Sequence, residues 1–140
     1  MTTDSEWLVA VEQIKALKAR YFRCIDTKDW QGLSDCFSEN LDADFTEAPG
    51  PHTKSRAEYL AMIEAALKDA KTVHHGHNPE ITLHDRDSAS GIWAMEDIVQ
   101  MPGMTLQGWG HYHEEYTREA TGWVISKTRL SRLILNMGGV

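Results

Sequence analysis

The spacing of apolar residues changes once along this chain, near Lys71, and that change constrains the fold more than any other feature. Upstream of it, Trp7, Leu8, Val11, Ile14, Leu17, Tyr21 and Ile25 recur at three- and four-residue intervals. Such spacing places them on one face of a helix over about residues 4–26 and turns the Tyr21 ring inward. Asp29 is placed to cap a shorter helix over about 30–37, in which Trp30, Leu33 and Phe37 share a face. Ser55 and Glu58 make a capping-box pair ahead of Tyr59, Leu60, Ile63 and Leu67, so a third helix is predicted over about 56–69. Between the second and third helices, Asp42 to Thr46 is predicted as one short strand.

From Lys71 onward the chain consists of runs rich in Val, Ile, Thr, Trp and Tyr, broken at Asp85-Arg86-Asp87, Pro102-Gly103 and Ala120-Thr121-Gly122. These breaks separate four predicted strands at about 71–83, 89–101, 104–118 and 122–136, each antiparallel to the one before because the connections are short. Strands of that length carrying Gly91, Gly108 and Gly110 bend and coil, wrapping the sheet around a helix and leaving a cone-shaped interior. The expected class is α+β: helices on a curved antiparallel sheet. With 140 residues and no repeat or linker, residues 1–140 are read as one domain. The closing stretch, Leu135 to Val140, is expected either to cover the pocket mouth or to fray.

Composition narrows the partners. Fourteen Lys and Arg against twenty-one Asp and Glu give a net charge of −7, which repels a phosphate backbone or an anionic membrane, so no nucleic acid and no membrane partner is expected. Cys24 and Cys36 fall in predicted helical segments without CxxC spacing, arguing against a disulfide framework or a metal knuckle. With no signal-peptide pattern and no long apolar run, a cytoplasmic setting is expected.

Several residues can carry chemistry. Tyr21 and Asp26 come at the end of an otherwise apolar helix face, where Asp26 either caps the following turn or holds a histidine or ligand hydroxyl in the interior. His74-His75-Gly76-His77 begins a strand whose side chains alternate faces, so at least one imidazole faces inward, and parity alone does not choose which. His111 and His113 lie in phase on a later strand and, together with the first histidine run, invite a metal reading, but neither a cysteine nor an HExxH helix supplies a further ligand, and no metal or cofactor is expected. Glu96 and Asp97 sit mid-strand among apolar neighbours. Whichever points inward needs a partner, an inward histidine or one of Arg129 and Arg132. Trp93, Trp109, Tyr112 and Trp123 suit sheet packing or the lining of a pocket for a planar ligand.

Taken in order, Arg20-Tyr21, Asp26, Asp29-Trp30, Thr72-Val73-His74, Asn78-Pro79, Gly110-His111-Tyr112-His113 and Gly122-Trp123-Val124-Ile125 resemble the SnoaL-like family of the nuclear-transport-factor-two-like superfamily. The resemblance implies a cystatin-like α+β barrel: a cone of curved sheet closed by three N-terminal helices, open at its wide end and assembled as a homodimer or homotrimer. Within the family the chain is most similar to the branch of scytalone dehydratase and bile-acid 7-alpha-dehydratase, which implies catalytic roles for Tyr21, Asp26 and His74. It also implies a histidine-orienting carboxylate at Asp97, with Glu96 as its competitor, while His75 competes with His74. The implied activity is a cofactor-independent dehydratase acting on a small hydrophobic or cyclic substrate, such as a steroid-like or polyketide-like hydroxy-ketone. Trp93, Tyr112 and His113 are then expected to contact the substrate. An isomerase or cyclase, or a non-catalytic module like the dioxygenase small subunit, is the alternative.

Overall fold

A computed structural model of the chain describes residues 2–138. The first helix, α1, spans Asp4–Thr27 and starts at a capping box, in which the Thr3 hydroxyl accepts the Glu6 N–H and the Glu6 carboxylate accepts the Thr3 N–H. It stops where Lys28 takes a left-handed backbone conformation (φ 61°) and returns its N–H to the carbonyls of Cys24 and Ile25. The buried stripe comprises Ala10, Ile14, Leu17, Lys18, Tyr21, Cys24 and Ile25. Trp7 and Leu8, which the spacing adds to this stripe, are instead 40% and 58% exposed. Beside those first turns, Glu6, Val9 and Ala10 line a hollow with Leu83, Arg86 and Arg118, and Arg86 pairs with Glu6 at 3.1 Å.

The second helix, α2, covers only Trp30–Ser34, with Asp29 accepting the Gly32 N–H as its cap. It is shorter than predicted because the chain turns at Asp35-Cys36 and Phe37 already pairs with Ile125. Cys36 therefore lies in a turn, and the first strand, β1 (Phe37–Asp44), begins earlier than position 42. A two-residue strand, β2 (His52–Thr53), precedes α3 (Arg56–Leu67), which Ser55 caps as its sequence suggests. The strands β3 (Lys71–Asp85), β4 (Ser88–Met101), β5 (Met104–Glu119) and β6 (Gly122–Gly138) complete the chain. No helix among the described residues is long and apolar enough to cross a membrane.

All six strands form one curved, open sheet in the order β2-β1-β6-β5-β4-β3. Every pairing is antiparallel except β1 with β6, which is parallel and joins two strands separated in the chain by β2, α3 and β3 to β5. Residues Leu135 to Gly138 continue β6 alongside β5, while Gly139 and Val140 lie outside the described residues.

Side-chain alternation gives the sheet an inner and an outer face. Ala89, Trp93, Met95, Asp97 and Val99 of β4 are buried, while Ile92 and Ile98 between them are exposed. The core packs α1 onto the inner face through Ile14, Leu17, Tyr21 and Ile25, of which the aliphatic three each contribute roughly 1.5–3 kcal/mol by burial.

One polar network crosses this core. Lys18, fully buried, donates to Glu114 Oε2 at 2.8 Å, and the same carboxylate accepts the hydroxyls of Thr128 at 2.8 Å and Tyr116 at 2.9 Å. The Trp93 indole N–H donates to the Tyr116 hydroxyl at 3.0 Å. Lys18 Nζ also lies 3.6 Å from the centre of the Tyr112 ring and 4.0 Å from that of Tyr21, which holds both aromatic rings against the ammonium. Burial pulls the Lys18 ammonium below its ordinary value, and Glu114 opposes that shift.

Candidate active site

The β3 register selects one histidine from the run. Thr72, His74 and Gly76 face inward, and Val73, His75 and His77 face outward. His74 is 7% exposed, whereas the side chains of His75 and His77 are 59% and 52% exposed. Gly76 is needed on the inner face because a Cβ there would lie 2.7 Å from the Phe22 ring of α1.

Asp26, in the last turn of α1, is not a cap. Its Oδ2 accepts the His74 backbone N–H at 2.8 Å, and its Oδ1 meets His74 Nδ1 at 2.7 Å and accepts the Thr72 hydroxyl at 3.0 Å. Lys28 donates to Thr72 at 2.9 Å behind this arrangement. An ionised carboxylate only accepts, so the hydrogen in the Asp26–His74 contact belongs to Nδ1, and Nε2 of the neutral ring carries the lone pair. Burial raises the Asp26 carboxyl, but the hydrogen bonds from the His74 ring, the His74 backbone and Thr72, together with the charge of the imidazolium, outweigh it and hold the group below its ordinary value.

Asp97 is the β4 residue paired with His74 and likewise faces inward. Its Oδ2 is 3.9 Å from His74 Nε2, too far for a hydrogen bond. Its partner is Arg132 of β6, which grips it in two-pronged fashion, Nη1 to Oδ1 at 2.6 Å and Nη2 to Oδ2 at 3.1 Å. The pair reaches across β5 because Gly108 lies beneath it. A Cβ on Gly108 would fall on Arg132 Nη1 and 2.6 Å from Asp97 Oδ1. Glu96 faces outward, beside His75 and His77.

His74, Asp97 and Arg132 line a cavity of about 280 Å³ together with Tyr21, Tyr59 and Tyr112. The rest of its wall is apolar, including Ile25, Phe45, Met62, Ile63, Val99 and Leu130. Burial pushes the phenols of Tyr21, Tyr59 and Tyr112 well above their ordinary value, so all three remain hydrogen-bond donors across the working pH range. The Tyr59 hydroxyl lies near that of Tyr21 but is aligned with no hydrogen-bond partner among the described residues, and Arg132 Nε is likewise unpartnered. Two buried donors on the cavity wall are thus left over for a ligand.

Two expected substrate contacts fall elsewhere. His113 points to the outer face, where its Nε2 meets the Ser131 hydroxyl at 3.0 Å, because the inward positions of β5 are the even-numbered ones that include Tyr112. Trp93 faces inward but is packed in the core with its N–H committed to Tyr116, away from the cavity wall. Conversely, Tyr59 and Lys18 belong to the site or its support without having been singled out from the sequence. Tyr59 reads as one more apolar position of α3. The available signal for Lys18 is a lysine placed between Ile14 and Tyr21 on an apolar helix face.

A profile of the SnoaL-like domain family matches residues 7–129. A Gibberella zeae protein named probable cyclase FGR4 is 26% identical over 133 residues, covering 86% of this chain and 89% of that protein. Among solved structures, a Novosphingobium aromaticivorans protein provisionally named scytalone dehydratase superposes with a TM-score of 0.84 at 18% identity, covering 96% of this chain and 91% of that one. The hexachlorocyclohexane dehydrochlorinase LinA-type3 of Novosphingobium barchaimii superposes with a TM-score of 0.83 at 15% identity, covering 99% and 94%. At these identities the structural likeness shows the shared fold alone.

Proposed function

The chain belongs to the SnoaL-like domain family, and from that premise we propose that it is a cofactor-independent lyase that removes water from a compact cyclic hydroxy-ketone of polyketide-like or steroid-like type. The observation that carries this reading is the Asp26–His74 contact of 2.7 Å at Nδ1, which leaves the Nε2 lone pair on a histidine of the cavity wall. A base so held is suited to taking a proton from the carbon next to a carbonyl. As that C–H bond breaks, charge moves to the carbonyl oxygen, and the Tyr21 hydroxyl donates to the enolate that forms. The enolate then expels the hydroxyl on the next carbon, which takes the proton from Nε2 and departs as water. A C=C bond has formed and His74 is again neutral. Throughout, Asp26 stays ionised, fixes the tautomer and stabilises the imidazolium between the two transfers. The Arg132–Asp97 pair fixes the polar end of the cavity and presents the remaining Arg132 N–H to a substrate oxygen.

Both structural neighbours named above are called after eliminations, which supports the lyase class. The relative named as a cyclase supports a second reading, in which the same base and donor rearrange the substrate without loss of water. Product mass separates the two. Incubation of the purified protein with a panel of cyclic β-hydroxy-ketones, followed by mass spectrometry, is expected to give a product lighter by one water. His74→Ala is expected to lower turnover by roughly 10²–10⁴ with little change in KM. A product of unchanged mass would favour the cyclase or isomerase reading, and full turnover by His74→Ala would remove His74 from the chemistry.

A further inference from the structure

The outer face of the sheet carries a second cluster, separate from the cavity. His75 and His77 lie two apart on β3 and so project from the same face, and Glu96 is paired with His75 on the neighbouring strand β4. Glu96 Oε1 is 3.5 Å from His75 Nδ1 and 3.4 Å from His77 Nε2, and the three prospective ligand atoms all fall within 4.8 Å of one another. The two imidazoles stand at 75° to each other with their centres 6.2 Å apart. We propose that His75, His77 and Glu96 bind one divalent transition-metal cation of the zinc type.

The geometry supports this assignment. In a tetrahedral site with ligand bonds of about 2.1 Å, neighbouring ligand atoms lie about 3.4 Å apart. Both histidine-to-carboxylate separations already match that edge, and closing the site requires the two imidazole nitrogens, within 4.8 Å of each other, to adopt the same spacing. Exposed side chains achieve this by small rotations. The backbones beneath them are fixed by ladder hydrogen bonds, and Ala94, the residue paired with His77, is too small to obstruct the approach. Two imidazoles and one carboxylate suit zinc, nickel or copper, while calcium and magnesium favour oxygen-only shells. Three protein ligands leave a position for water, and the cation would clamp β3 to β4 next to His74, which immediately precedes His75 and projects from the opposite face of the sheet.

The test is a titration of metal-free, tag-free protein with Zn²⁺ in competition with a chromogenic chelator. The original chain and His111→Ala, an outer-face histidine of β5 outside the cluster, are expected to take up one equivalent with the same affinity. His77→Ala and Glu96→Gln are expected to bind at least about tenfold more weakly, with unchanged circular dichroism showing that both are folded. Absence of saturable one-to-one binding in the original chain would overturn the proposal. So would retention of full affinity by both His77→Ala and Glu96→Gln, or loss of binding in His111→Ala.

Discussion

Asp26 holds His74 at two points, accepting the backbone N–H at 2.8 Å and facing ring Nδ1 at 2.7 Å, so that the end of α1 and the start of β3 set the imidazole together. Fixing both the backbone and the ring leaves the Nε2 direction little freedom, which is what a proton-transfer base requires. Asp26→Asn keeps the size but removes the charge and offers an amide that can favour the other tautomer. Turnover is expected to fall by about 10² or more with KM changed only a few-fold. Steady-state kinetics of the variant on the substrate found by the dehydration screen would check this, and unchanged kcat would show that the contact is structural.

The same carboxylate makes stability depend on acid. Its hydrogen bonds depress the folded-state value below that of the unfolded chain, so the folded form binds its proton later as pH falls. The stabilisation is fully present above the unfolded carboxyl value of about 3.9, and it is lost as pH falls from there through the lower folded value. Urea unfolding of the original chain and Asp26→Asn at a series of pH values is expected to show a stability gap that is constant near neutrality and narrows in the acid range. A gap that widens with acid would contradict the sign.

Gly108 permits the Asp97–Arg132 pair, and replacing it tests how the cavity floor is built. An alanine Cβ would occupy the position of Arg132 Nη1, forcing the guanidinium away and leaving the buried Asp97 carboxylate without its partner. Breaking a buried pair in this way costs about 3–5 kcal/mol, so Gly108→Ala is expected to be destabilised on that scale. Its urea midpoint should drop accordingly, and Arg132→Met should lose a similar amount. Destabilisation by Gly108→Ala but not by Arg132→Met would assign the cost to the strand backbone instead.

Much of this arrangement was legible because long elements repeat their signals. The stripe from Ile14 to Ile25 and the breaks at Asp85-Arg86-Asp87, Pro102-Gly103 and Ala120-Thr121-Gly122 delimit α1 and the four long strands to within a few residues. Spacing alone overextends the second helix, because Phe37 stands at helical spacing from Leu33 although pairing with Ile125 draws it into the sheet. His74 could not be separated from His75 by residue pattern, since histidines occupy both parities and the inner face is defined by where α1 docks. Tyr112 and His113 could not both line one pocket, as adjacent strand residues face opposite ways, and burial decided for Tyr112. The partnership of Lys18 with Glu114 spans 96 positions and leaves no local trace.

Lys18 and Glu114 are each buried to the point that removing one strands the other. Lys18→Met leaves the Glu114 carboxylate with only the Thr128 and Tyr116 hydroxyls and is expected to cost about 3–5 kcal/mol. Adding Glu114→Gln removes the stranded charge and should restore most of that loss, a non-additivity that a double-mutant cycle by chemical unfolding measures directly. Additive losses would mean that the pair acts through packing alone.

Tyr59 separates stability from ligand binding. Its ring is fully buried between Phe37 and Phe45, so the aromatic packing survives in Tyr59→Phe. The hydroxyl that the substitution removes has no aligned partner among the described residues, so its removal relieves an unsatisfied buried group. Stability is expected to stay level or to rise by up to about 1 kcal/mol. A ligand that accepts this donor loses one hydrogen bond, worth about 0.5–1.5 kcal/mol, so KM or an inhibitor Kd is expected to rise by roughly 2- to 12-fold. Opposite signs in thermal unfolding and in affinity would identify Tyr59 as a binding group of the cavity, whereas a fall in stability with unchanged affinity would show that its hydroxyl serves the fold.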